Sequence, residues 1–224
     1  MSSFPETQGM TDPRYVAGLQ FRVLALIFPV LRHEVIRPIS NASLAAAMLH
    51  HAPERPATEV DGDHRQDDLI TDLEGMLAES TSEVRRLSDW LEDTGGTMLL
   101  SDVLAQCRKL VFTQLLRSGK QIHLPERCPK AVLPEFSARY VLLAWLLCLL
   151  DGMPDGAELR IDAVGEHELR AYPGAVQPAG AAGGPSSGIT ADECIALAQV
   201  HGWRARRDDA AWILQLPSSD GARV

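Results

Sequence analysis

The stretch "VLRHEVIRPIS", Val30 to Ser40, lies in an apolar run yet places His33, Glu34, Arg32 and Arg37 between Leu31 and Ile39. Around it, Leu24, Phe28, Leu31, Val35, Pro38, Ala42, Ala45 and Leu49 step alternately by four and three. That is the seam of a long helix packing lengthwise on other helices. At roughly 100° per residue, His33 points away from Leu31 and Val35, so the ring faces outward. The outward column also holds Arg22, Leu26, Val30, Arg37, Ser40 and Leu44. A zinc-peptidase helix would need a second histidine four residues after the first. Arg37, a cation, stands there. An ordinary solvated face and a reactive histidine remain.

Apolar side chains around an exposed histidine favour a docking surface over an idle face. From Arg14 to Pro38 there are four arginines and one glutamate, a local excess of positive charge in a chain of net charge −9. Such a patch attracts an anionic partner or a phosphoryl group, and Arg37, one turn from His33, can fork onto phosphate oxygens. Pro38 removes the amide that would bond to the Glu34 carbonyl, and Pro29 does the same one turn earlier.

Working outward, the first helix is expected from Arg14 to His51, after a loose arm over 1–12. "HAPERPATEVDGDHRQ" breaks the pattern, and a second helix follows from about Asp67 to Glu92 with Leu69, Leu73, Met76, Leu87 and Leu91 on one side. One hairpin leaves its seam half exposed, and dimerisation into a four-helix bundle covers it. After "EDTGG" short strands alternate with helices: "TMLLS", with Ser101 as N-cap, a helix from Asp102 to about Ser118, "KQIHLPE", a helix from Glu135 to Leu150, then "ELRIDAV" and "HELRAYP". A flexible Gly-rich loop over 179–188, the helix "TADECIALAQVHG", and a terminal hairpin of "WRARRDD" and "AWILQLP" complete one mixed sheet with helices on one face. The expected organisation is α+β, with a hairpin domain over 13–94 and an α/β sandwich over 97–219.

Length and composition narrow the class. The chain has 224 residues, 46% of them apolar, enough for real cores. Its net charge of −9 argues against a nucleic-acid partner. Cys107, Cys128, Cys148 and Cys194 are widely spaced without a CxxC, which fits reduced thiols in a cytoplasmic protein. No window approaches 18 uninterrupted apolar residues, "YVLLAWLLCLL" reads as a buried core helix, and no membrane partner is expected. The other histidines, His50, His51, His64, His123, His167 and His201, form no cluster in the sequence.

"RHEVIRPIS" resembles the H-box of histidine kinases, His-acid-x-x-x-Pro on the first helix of a dimeric hairpin, followed at family spacing by "VRRLSDWLED". From Thr97 the order of elements also resembles the kinase catalytic domain. The departures are specific. Where that family holds magnesium and ATP with asparagines, this chain has Ala144 and Cys148. "AYPGAVQPAGAAGG" lacks the Asp-x-Gly-x-Gly aspartate, and a second glycine box is replaced by "GITADECIA".

A hairpin with its H-box, joined to a kinase-like domain without nucleotide ligands, is similar to the dimeric histidine phosphotransferases of phosphorelays. The resemblance implies that His33 is the phosphoacceptor, Glu34 orients the ring or assists proton movement, and Arg37 contacts the phosphoryl group. It implies response-regulator receiver domains and a hybrid histidine kinase as partners, a homodimer, no ATP, and magnesium supplied by the receiver. Kinases that dephosphorylate their regulators usually carry Thr or Asn at the position of Arg37, so strong phosphatase activity is not expected. A pseudokinase scaffold that binds receivers or another signalling partner without carrying phosphate is the alternative, and an ATP-using kinase with unrecognised ligands is a third.

Overall fold

The computed structural model describes residues 12–50, 61–176, 187–208 and 211–217. The expected arm except residue 12, the inter-helix loop over 51–60 and residues 179–186 of the Gly-rich loop lie outside the described residues. The architecture is α+β: a long amino-terminal helix, a second helix, and then strands interleaved with helices around a mixed sheet.

Helix α1 spans Pro13–His50 and stays helical through Pro29 and Pro38. Helix α2 spans Asp61–Ser88. By contacts, Phe28–Asp93 forms one compact unit, and α1 up to Ile27 belongs with the residues from Thr94 onward in another. In the first unit, Leu31, Pro38, Ala42 and Ala45 are buried on α1, as the seam predicted. Phe28 of that seam is 44% exposed. On α2, Leu69, Leu73, Met76 and Leu87 are half-buried, and Ser80 is buried at the same spacing. Its hydroxyl donates to the Met76 carbonyl at 2.7 Å, which satisfies it locally.

In the second unit, strand β1 (Thr97–Leu99) pairs antiparallel with β3 (Val132–Pro134) as a separate two-stranded sheet. This corrects the expectation of a single sheet. Helix α3 (Leu100–Leu110) breaks at Val111, and α4 (Phe112–Ser118) ends at Gly119, whose φ of 63° is the left-handed conformation glycine adopts freely. The main sheet has the order β2-β4-β5-β7-β6, built from Gln121–His123, Ala157–Val164, Glu168–Val176, Trp212–Gln215 and Arg204–Arg207 respectively. Only β2 with β4 is parallel. Helix α5, Glu135–Asp151, is apolar all round and buried along nearly its whole length, as a central core helix must be. Leu159, Ile161, Leu169 and Ala171 of β4 and β5 are likewise buried. Helix α6, Ala191–Val200, starts with a capping box between Thr190 and Glu193.

By length and composition alone, α1 over Pro13–Leu49 is long and apolar enough to cross a membrane, with mean hydropathy 1.4 over its most apolar window and 33% of that window buried. The helix carries Arg22, Arg32, His33, Glu34 and Arg37 along its middle, where hydrocarbon would make charge expensive.

Candidate functional site

Helix α1 decides the candidate site, because its buried stripe fixes which residues face outward. Leu31, Pro38 and Ala42 face protein, and His33 and Arg37 are exposed. Glu34 is half-buried beside the histidine. Leu26, Ser40 and Leu44 of the outward column are exposed, Leu44 at 63%, and Val30 is half-buried. One side of a single helix therefore carries an accessible imidazole, a guanidinium one turn on, and apolar groups above and below.

Arg37 has a partner that the sequence did not announce. Its Nη2 lies 3.7 Å from Glu79 Oε1 on α2, with both side chains more than half exposed. A pair so open to water contributes ~0–1 kcal/mol. Arg37 is thus held near α2 by a weak pair, and another anion could displace the carboxylate at little cost.

Arg22, expected among the partner-binding residues, has a different engagement in the structure. Its guanidinium donates to Glu193 Oε1 and to the Gly188 carbonyl at the start of α6. Gln20 Nε2 stands 3.1 Å from His201 Nε2. These contacts, with Val16, Leu19, Val23 and Ile27 buried, explain why the first part of α1 belongs with the sheet-containing unit. Burial pushes the Glu193 carboxyl up, but the Thr190 amide and Arg22 outweigh it and hold it below the usual carboxylate range.

Ala144 and Cys148 stand where the resemblance to kinases led nucleotide ligands to be expected. Ala144 is fully buried. Cys148 is half-buried, and burial together with Asp151 pushes its thiol up to about 11. At the end of α5, Asp151 accepts the Ser187 amide at 3.0 Å and the Gly188 amide at 3.1 Å, tying the last residues of the Gly-rich loop back onto the helix. Among the described residues, no group of three His, Cys, Asp or Glu side chains is placed to hold a metal ion.

No protein-family model matches the chain. No curated protein matches it either. Among solved structures it is similar to the cytoplasmic segment of histidine kinase QseC, at TM-score 0.41 and 11% identity over 60% of this chain and 91% of that one. It is also similar to the Acinetobacter baumannii histidine kinase AdeS, at TM-score 0.41 and 12% identity over 84% and 98%. A third is histidine kinase ThkA in complex with the response regulator protein TrrA, at TM-score 0.40 and 11% identity over 99% and 70%.

Proposed function

We propose that the chain is a histidine phosphotransferase of a two-component phosphorelay, carrying a phosphoryl group on His33 between receiver aspartates. The observation that carries this reading is an exposed histidine in an H-box-like sequence, with Arg37 one turn away and apolar residues on the same outward side. The chemistry needs little else from this chain. A neutral imidazole nitrogen attacks the phosphorus of an aspartyl phosphate, the P–N bond forms, and the P–O bond to the aspartate breaks. The other ring nitrogen gives up its proton, with the carboxylate of Glu34 or of the released aspartate as acceptor. Transfer onward reverses these steps on a second carboxylate. Arg37 steadies the phosphoryl oxygens with charge-assisted hydrogen bonds. Receiver domains and a hybrid kinase are the proposed partners, and the receiver supplies magnesium.

A homodimer fits the same hairpin. Ile70, Leu77, Val84 and Leu91 recur every seven residues along and just beyond α2, and all are exposed. On α1, Phe28 of the seam and Ile39 beside it are exposed. A second copy would cover these faces in a four-helix bundle while leaving the His33 column open. Buried Ala144 and the Asp151 tether support a domain that does not use ATP. The pseudokinase scaffold shares the docking surface and differs only in what His33 and its neighbours do. Incubation with a phosphorylated receiver separates the two: the relay predicts acid-labile, base-stable label that His33→Ala abolishes, and the scaffold predicts binding without label.

A further inference from the structure

We propose that β6 binds an acidic, extended segment of a partner protein, which joins the main sheet as a further strand. Sheet order places β6 outermost, with β7 as its pairing partner among the described residues. An outermost strand turns alternate amides and carbonyls away from its sheet, and these are a template for another chain. The cross-strand register sets Arg204 in a row with Gln215 and Glu168, and Arg206 in a row with Ile213 and Arg170. In the row between them Ala205, Leu214 and Leu169 are buried, so Arg204 and Arg206 belong to the opposite face. Both are exposed.

Their charge is not answered from within the protein. Among the described residues neither arginine forms an ion pair or a side-chain hydrogen bond. Glu168, the carboxylate in the Arg204 row, accepts from Arg170 Nε at 2.6 Å and from Gln215 Nε2 at 3.4 Å, and Arg206 acts on it only through space. Asp162, beyond Arg170 in the other row, accepts from Arg160 Nε at 3.0 Å. Asp208, just after the strand, has a contact of its own and closes the turn with Ala211. Arg207 belongs to the other face, where it acts on Cys148 alongside Asp151 and Glu193, and is not counted in the site.

Two unpaired guanidinium groups on an outermost strand, in a chain of net charge −9, select the occupant by sign. A second copy of β6 would set arginine against arginine, and like charges directly opposite are destabilising. A strand with carboxylates at alternate positions would set one against each arginine while its backbone bonds to the edge. RNA would meet the same arginines but has no alternating amides and carbonyls to offer the edge, and the overall charge of the chain opposes it.

The test is fluorescence anisotropy of a short labelled peptide of alternating glutamate and valine, titrated with the full chain, with amide-shift mapping of the complex. The peptide should bind saturably with shifts centred on 204–207, its lysine-for-glutamate counterpart should not bind, and polyuridylate should bind at least about tenfold more weakly. Of two peptides N-methylated on one or the other alternate set of amides, at least one should bind about tenfold more weakly. Arg204→Glu with Arg206→Glu should weaken binding about tenfold or more, with unchanged near-ultraviolet dichroism to show intact packing. Arg85→Glu with Arg86→Glu on α2 should leave binding as it was. Polyuridylate binding as tightly as the peptide, both methylated peptides binding undiminished, undiminished binding to the Arg204/Arg206 variant, or no saturable binding would overturn the proposal.

Discussion

At the scale of single residues, Arg37 is the most informative neighbour of His33. If it steadies the phosphoryl group, Arg37→Ala should slow transfer from a phosphorylated receiver by about 10- to 100-fold, the worth of one charge-assisted hydrogen bond. Glu79→Ala removes only an exposed partner 3.7 Å away. It should change stability by less than about 1 kcal/mol and leave transfer intact, which rate measurements on the two variants would check. The cysteines give a prediction through pH. Burial pushes the Cys107 and Cys194 thiols well above their ordinary value and Cys148 up to about 11, and Cys128 is also raised, chiefly by partial burial. Thiolates are the reactive form. Iodoacetamide near neutral pH should therefore label Cys128 first and spare Cys107 and Cys194 until the protein unfolds, as mass spectrometry would show. His33 itself was legible because helical periodicity alone turns it outward. Arg22 was not, because its partner Glu193 lies 171 positions away and no local pattern announces so distant a pair.

At the scale of elements, boundaries followed local chemistry where local chemistry governed them. The start of α6 was readable because Thr190 and Glu193 stand at capping-box spacing, and both reciprocal bonds form. Thr190→Ala should cost about 0.5–2 kcal/mol in chemical denaturation. Glu193 has a lowered folded-state pKa, so its contribution is present above the unfolded carboxylate value of about 4.3 and fades as pH falls through the lower folded value. The stability gap between wild type and Glu193→Gln should accordingly narrow on acidification, and a gap that widens would contradict the pairing. Ser101 was expected to cap α3, yet the helix starts at Leu100, whose amide donates to the Ala131 carbonyl at 2.9 Å. The β1–β3 ladder sets that start. Strand β3 went unread because three residues ending at a proline carry almost no periodic signal. The break at Val111 was also hidden, since the apolar pattern of α3 runs straight into α4.

At the scale of the whole molecule, the α+β class and the order of helices and strands were legible because α1, α2 and α5 are long and strongly patterned. Division of the main sheet from the β1–β3 pair was not, since pairing between distant segments leaves no sequence period. Ile70, Leu77 and Val84 lie beside the stripe that the hairpin itself buries, and Leu91, expected in that stripe, is instead exposed just beyond the end of α2 at Ser88. If these residues meet a second copy, light scattering should give twice the chain mass of 24.4 kDa, and Leu77→Asp with Val84→Asp should shift it toward the monomer. The central claim is that His33 carries a phosphoryl group in transit. Its most direct test is to incubate the chain with a receiver labelled at its aspartyl phosphate, quench, and locate the label. The relay predicts base-stable, acid-labile label on His33 that disappears on adding a second receiver. Label persisting in His33→Ala, or no label despite binding of the receiver, would contradict it.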